Sequence, residues 1–348
     1  MPRLLFTSAL LFTVALLAAT PASAVDVPHY AEFHAWFVAC DNLRSCEARG
    51  FEDAAQADLR LLRAAGDAPA ELRLTAAGDA ILAGLALDGT PLQAAPPWSV
   101  TRQDGVTTMT TKDAATVAAF LQRARNGHRL SFGAGPGGVP LDGLTAALMR
   151  IDDVQGREGT STALLAPRGP GSPPEPPALP PRVRWSAPVA LASSQARSLA
   201  RAVRHAQATA LAKASCTQRP DEPDEAFALD AERALVILPC SFGAYQGNAL
   251  VFIITRADGR AGRFAPRLPT LADPVDTLVN AGFDPGTGTL SMSAKGRGVA
   301  DCGMMAEWAW ADGGFRLVEM ARQDACGGAE PGDWPVLFRT APGGRPAP

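Results

Sequence analysis

Short runs in which apolar and polar residues alternate, interrupted by Gly, Asp and Pro, fill most of this chain and predict strands joined by turns. Phe33 to Ala39 reads as one strand that carries Trp36 and Val38 on a shared face and leads into Cys40. Leu72 to Leu74, Ile81 to Leu87 and Trp98 to Thr101 read as further strands, with Asp88-Gly89 as a turn. The period then lengthens. Ala114 to Asn126 places Val117, Phe120, Leu121 and Ala124 at helical spacing before Gly127, and a second helix is expected from an Asp142 cap, with Leu144, Leu148 and Ile151 on one side. A third helix is expected from Ser193 or Ser194 to about Ala212. Beyond it the period returns to two: Phe227 to Leu229, Ala234 to Leu238, Ala249 to Thr255, Thr289 to Ser293, Glu307 to Trp310 and Phe315 to Met320. Trp308 and Trp310 share a face in that reading.

One apolar run is different in kind. Arg3, the stretch Leu4 to Ala18, Pro21 and Ala22-Ser23-Ala24 together read as a signal peptide over residues 1–24, cleaved near Ala24/Val25. Export to the periplasm or the medium follows as an expectation. No later stretch reaches the length of a membrane span. A formal charge of −3 with no basic stripe argues against a nucleic-acid partner. The basic residues are almost all arginine, since Lys112, Lys213 and Lys295 are the only lysines.

Eight prolines fall within the sixteen residues from Ala166 to Pro181 and exclude both helix and sheet there. Such a run favours extended geometry and suits a spacer; docking on an aromatic groove is the sharper alternative. The expected organisation is a β-rich domain at 25–165, a Pro-rich linker at 166–184 and a second β-rich domain at 185–348. The fold class is α+β, mainly antiparallel β with packed helices. An even count of six cysteines in an exported chain predicts disulfides. Fifteen connectivities are possible, and sequential pairing of Cys40 with Cys46, Cys216 with Cys240 and Cys302 with Cys326 is the simplest. Each bridge would stabilise by about 2–4 kcal/mol. No C-x2-C spacing supports a metal site.

The segments FVACDNLRSCEARGF at Phe37 to Phe51, IDDVQGREGT at Ile151 to Thr160 and KGRGVADCG at Lys295 to Gly303, with Asp333-Trp334-Pro335 near the end, give the chain a likeness. It resembles the bacterial domain-of-unknown-function 1176 family, exported proteins of about this length with six characteristic cysteines. The N-terminal half is also similar to the invasion-associated locus B proteins, through Trp36, Cys40, Cys46 and the Leu130 to Ile151 pattern. Neither resemblance implies a reaction.

Two loops are the candidate binding residues. KGRGVADCG sets Lys295 and Arg297 among glycines whose backbone amides could nest an anion; the ordinary reading is a tight connection in which Arg297 pairs with Asp301. CSFGAYQGN sets Tyr245, Gln246 and Asn248 beside Cys240, a composition suited to a sugar or peptide; the ordinary reading is a tyrosine covering a sheet edge. GAGPGG at Gly133 to Gly138 fits a dinucleotide pattern but lacks the alternating strands and helices, so no cofactor is expected. His29, His34, His128 and His205 have no zinc or triad spacing, although His29 and His34 could approach one another. Asp152 or Asp153 is expected to meet Arg157, and Asp221 to Glu225 to form a solvated acidic loop. No catalytic set is legible. The sequence therefore reads as a non-enzymatic binding or interaction module with an envelope protein or glycan as partner. The alternative is an envelope hydrolase with unidentified carboxylates.

Overall fold

The computed structural model describes residues 27–52, 57–66, 68–92, 97–132, 138–165, 169–181, 183–217, 219, 221–328 and 332–341. The expected leader and the start of the proline run, 166–168, lie outside them. In chain order the first half forms β1 (His29–Phe33), β2 (Trp36–Cys40), β3 (Cys46–Phe51), β4 (Ala57–Arg63), β5 (Glu71–Ala77), β6 (Leu85–Leu87), β7 (Thr90–Leu92), β8 (Ser99–Gln103), β9 (Val106–Thr111), α1 (Ala114–Ala124), β10 (Arg129–Phe132), β11 (Gly138–Pro140) and α2 (Leu144–Val154). The second half forms α3 (Ser193–Ala206), α4 (Ala208–Lys213), β12 (Glu225–Ala228), β13 (Arg233–Phe242), β14 (Gly247–Thr255), β15 (Ala261–Arg263), β16 (Leu278–Val279), β17 (Gly282–Asp284), β18 (Thr289–Lys295), β19 (Gly303–Ala311), β20 (Gly314–Gln323) and β21 (Val336–Arg339).

Strands pair into four sheets, ordered β1-β2-β3-β4-β5-β9-β8, β11-β10-β6-β7, β12-β13-β14-β15 with β16 beside β14, and β17-β18-β19-β20-β21. All pairings among the described residues are antiparallel. The fold is mainly antiparallel β with few helices.

Several expected boundaries shift for local reasons. Phe33 to Ala39 is not one strand: a tight turn at His34-Ala35, with His34 at φ 54°, separates the end of β1 from β2. Ile81 to Leu87 opens with a 3-10 turn at Ala80–Ala83 before β6. The α2 helix is capped one residue late, at Gly143, whose φ of 98° lies in the left-handed region. A Cβ there would overlap the Phe33 carbonyl, so the close pass of β1 selects glycine over Asp142. The third helix breaks at Gln207 into α3 and α4. The helix α1 starts where Asp113 accepts from the Thr116 backbone at 2.8 Å, and it buries Val117, Leu121 and Ala124.

Alternation through β2 divides its side chains between two cores. Trp36, Val38 and Cys40 join Leu59, Leu61, Leu72, Leu74, Leu148 and Ile151 in the first cluster. Phe37 and Ala39 point the other way and join Leu235, Val251, Leu290, Trp308, Trp310 and Met320 of the second half. Phe51 and the Tyr30 ring, stacked on Phe37 at 5.5 Å, belong to this shared core. Trp36 fits because Gly50 faces it across the ladder; any Cβ at Gly50 would overlap the indole. The proline run carries no regular structure where described. It is nonetheless fastened: the Ala341 N–H donates to the Pro180 carbonyl at 2.9 Å, and Trp185 packs edge-on against Phe283.

The face that β3 and β4 turn toward the second half is charged. Arg49, Asp58 and Arg60 are all buried. Arg49 donates to Asp58 at 2.9 Å, to the Gln323 side-chain oxygen at 2.8 Å and to the Asp333 carbonyl at 3.0 Å. Arg60 donates to Asp58 at 2.8 Å and to the Asp333 carboxylate. Glu47, 3.9 Å from Arg60, leaves its Oε1 without a hydrogen bond, and burial holds its carboxyl above the usual range against the pull of Arg60 and Arg49. Two arginines, Arg49 and Arg60, thus face two aspartates, Asp58 and Asp333, in this layer.

Two substitutions test that balance. Asp58→Asn strips a shared acceptor from two buried cations and is expected to cost about 3–5 kcal/mol in urea unfolding. Glu47 behaves oppositely. Its folded pKa is raised, so its ionisation opposes folding as pH climbs past the unfolded value. Glu47→Gln is therefore expected to match or exceed the parent at pH 7, the gap closing toward pH 4.

Candidate functional site

The two glycine-rich loops singled out by sequence meet. Gly243 to Gln246, between β13 and β14, and Lys295 to Gly298, following β18, line one groove of about 220 Å³. Tyr245, Arg297, Gly298 and Val299 line a shallower hollow beside it. Both loops begin or end at a disulfide. The structure joins Cys40 to Cys46, Cys216 to Cys240 and Cys302 to Cys326, the sequential arrangement. Cys240 precedes the tyrosine loop, and Cys302 closes the arginine loop.

Gln246 clasps the two together. Its side-chain nitrogen donates to the Lys295 carbonyl at 2.9 Å, and its oxygen accepts from the Lys295 N–H at 2.6 Å, so one amide side chain imitates a ladder partner for the end of β18. Asn280 repeats the device one step away, accepting from the Gly247 N–H and donating to the Ser293 carbonyl, both at 3.0 Å. Arg297 is held from behind by Asp301 through two parallel contacts, one of 2.7 Å. That bidentate geometry orients the guanidinium while using much of its charge.

The arginine loop is a tight connection in which Arg297 pairs with Asp301, and two of the amides offered for an anion nest are engaged within it. The Gly296 N–H donates to the Cys302 carbonyl at 2.8 Å and the Ala300 N–H to the Arg297 carbonyl at 3.0 Å, so both amides are spent inside the loop. What stands out instead is exposure. Tyr245 is 81% exposed and Val299 62%, and both flank Arg297. Lys295 is exposed at the groove. Tyr245, Gln246, Lys295 and Arg297 thus converge, while Asp301 supports from beneath. Asn248 does not join them: it donates to the Ser241 hydroxyl at 3.0 Å and lines a neighbouring cleft with Glu222, Glu225, Phe242 and Asn280.

Other expected constellations separate. His29 and His34 sit at opposite ends of β1, with His29 opposite Cys40 and His34 3.5 Å from Asp142. Asp152 meets Arg63 at 3.4 Å and accepts from the Leu164 N–H, while Asp153 pairs with Arg150. Burial raises the Asp152 carboxyl to about 6. Arg157 is wholly buried: its side chain donates to Gln155, Thr162 and the Gly66 carbonyl, its backbone N–H donates to the Asp152 carbonyl at 2.7 Å, and its charge pulls the Asp152 carboxyl downward. The acidic loop is partly engaged, since Arg204 holds Asp224 and Arg219 holds Asp221. The segment at Gly133 to Gly137 lies outside the described residues, but β10 and β11 on either side pair as an antiparallel hairpin. Asp301, Cys302 and Cys326 cluster, yet both sulfurs are bonded to each other and offer no thiolate to a metal.

Sequence reasoning missed the residues that hold the arginine loop in place. Gln323, fully buried, donates to the Asp301 carbonyl at 2.8 Å and to the Ala325 carbonyl at 2.9 Å, while accepting from Arg49. Trp334 donates to the Ala300 carbonyl at 3.2 Å, and the Gly332 N–H donates to the same oxygen at 2.8 Å. The usable signal was charge at every second residue of CEARGF and ADLRLLR.

The model of the family described as "Protein of unknown function (DUF1176)" matches residues 30–341. The chain belongs to the DUF1176 family. A relative from Escherichia coli (strain K12), "Uncharacterized protein YpfG", is 32% identical over 353 residues, covering 95% of this chain and 98% of its own length. No solved structure matches. The DUF1176 match takes in both loops, all six cysteines and the buried arginine layer.

The Gln246 clasp predicts a local effect. Gln246→Ala removes the side-chain partner of the Lys295 N–H, so that amide should exchange roughly fivefold faster, given a net hydrogen-bond worth near 1 kcal/mol. Core amides of β13 should be unchanged, which hydrogen-exchange mass spectrometry can read.

Proposed function

We propose that this DUF1176 protein is an exported, non-enzymatic binding module, and that the paired loops at 243–246 and 295–299 are its recognition surface. The observation that carries this reading is the convergence of an exposed tyrosine, an exposed valine and two cations on loops that disulfides and amide clasps hold still. A surface apolar group in water gains by being covered, and a preformed loop loses little entropy when it is. Tyrosine and arginine together are the side chains most often found at the energetic centre of interfaces. The reading extends to the division of the chain into 25–165, a linker at 166–184, and 185–348, with the second half presenting the surface. Three disulfides suit an oxidising compartment, which supports export to the periplasm or medium.

The partner that fits is an envelope protein or glycan with an apolar face and acidic groups. Tyrosine and valine would cover the first, and Lys295 and Arg297 would meet the second. The hydrolase alternative has Glu222 and Glu225 to draw on, in the cleft that Asn248 lines. Burial and the neighbouring Glu222 hold the Glu225 carboxyl above its usual range. Hydrolysis of a glycan needs two carboxylates set at a defined distance across the substrate, and among the described residues neither acid is fixed by a side-chain partner that would set it.

Site-specific photocrosslinking in the producing cells tests the surface. A photoreactive residue in place of Tyr245 or Val299 should give one discrete adduct, lost when Arg297→Ala is added. The same residue in place of Met149, exposed on α2 and lining neither loop groove, should give none. Absence of a discrete adduct from both loop positions, or an identical adduct from Met149, would contradict the proposal.

A further inference from the structure

The edge strand β12 faces a second groove that the loop pair does not use. On one side β12 pairs with β13; no described strand pairs with the other. A cleft of about 370 Å³ lies along Ala226, Phe227 and Ala228, and its far wall is Pro188, Leu191 and Ala196 at the start of α3. An open strand edge next to apolar walls is the geometry that accepts an added strand, with backbone hydrogen bonds for affinity and wall pockets for alternate side chains.

The charges at its two ends differ in sign. Glu225 lies in the cleft with Glu222 close by, and neither has an ion pair among the described residues, whereas Asp224 is taken by Arg204. Burial and Glu222 raise the Glu225 carboxyl, so a cation arriving there relieves repulsion. Arg204 marks this acidic end of α3. Arg197, seven residues earlier, is about 10 Å back along the helix, and Ala228 is about 10 Å along the strand. Ser193, Ala196 and Arg197 line the same cleft as Ala228. There Arg197 has no ion pair among the described residues, and the first-turn N–H groups of α3 have no helix carbonyl to receive them.

We infer that β12 and the start of α3 form a receptor for the carboxyl-terminal end of an extended peptide. The peptide adds as a strand to β12 and places its terminal carboxylate at Arg197 and the α3 amides. A basic side chain further back lies against Glu222 and Glu225, which makes the peptide run parallel to β12. Apolar side chains pack on Phe227, Leu191 and Pro188. The site is separate from the loop surface, since Tyr245 and Arg297 line neither wall.

The test titrates the intact, disulfide-bonded chain into a fluorescein-labelled Lys-Val-Ala-Val peptide with a free carboxylate, read by anisotropy. Saturable binding is expected, weakened about tenfold by amidating the peptide's carboxylate and about tenfold by Arg197→Ala, the worth of one charged hydrogen bond. Replacing the peptide lysine with glutamate should weaken it further. Ala190→Trp changes an exposed cleft residue and fills the groove without touching a core, so it should abolish binding in a chain that folds normally. Tyr245→Ala and Arg297→Ala should leave peptide binding intact even if they destroy the loop-surface adduct, which separates the two proposals. Failure to saturate by about 1 mM peptide, equal affinity for acid and amide, or normal binding by Ala190→Trp would overturn the inference.

Discussion

A guanidinium shut away from water must find its acceptors within the protein, and Arg49 finds them in both halves of the chain. One nitrogen meets Asp58 on the neighbouring strand, and another meets Gln323 and the Asp333 carbonyl more than 270 residues away. Leaving such a group unmatched costs several kcal/mol, far more than its pairing gains over an apolar substitute. The layer therefore adds little net stability but excludes other ways of laying the second half on the first sheet. A slide of one residue along β3 would turn Glu47 and Arg49 into the apolar core and set Ala48 in the charged layer in their place.

The candidate surface inherits its rigidity from that constraint. Gln323 ties Arg49 to the Asp301 carbonyl, Asp301 aims Arg297, and Trp334 holds the Ala300 carbonyl next to the Asp333 that Arg60 grips. A continuous set of hydrogen bonds thus runs from a buried strand to an exposed arginine. The opposing loop is fixed by the Cys216 to Cys240 bridge at its base and by Gln246 to the Lys295 backbone of its neighbour. Each loop thus has a covalent anchor of its own and a shared clasp.

Much of this architecture was legible in the sequence, and the failures share a cause. Ala234 to Leu238 was visible as a short continuous apolar run, buried on both faces, and Phe315 to Met320 because its alternation matches a half-buried sheet. The strands β3 and β4 were not, because both faces are buried and one of them is charged; Glu47, Arg49, Asp58 and Arg60 look like solvent contacts until the second half covers them. The Arg297 to Asp301 pair was readable from spacing alone. Its link to Gln323 spans the disulfide loop and has no local signature. Asp142 looked the better helix cap by propensity, and the close pass of Phe33 chose Gly143 instead, a tertiary preference that no window of sequence contains.

Hydrogen exchange across residues 296–301 in an Arg49→Lys variant tests the central claim most directly. Lysine keeps the charge but cannot reach Asp58, Gln323 and Asp333 together, because it lacks the planar fork. The account predicts exchange in this loop at least about tenfold faster than in the parent, with α1 amides unaffected, as expected for loss of a buried bond worth over 1 kcal/mol. Unchanged exchange at 296–301 in a folded Arg49→Lys protein would contradict the claim that the buried arginine positions the exposed one.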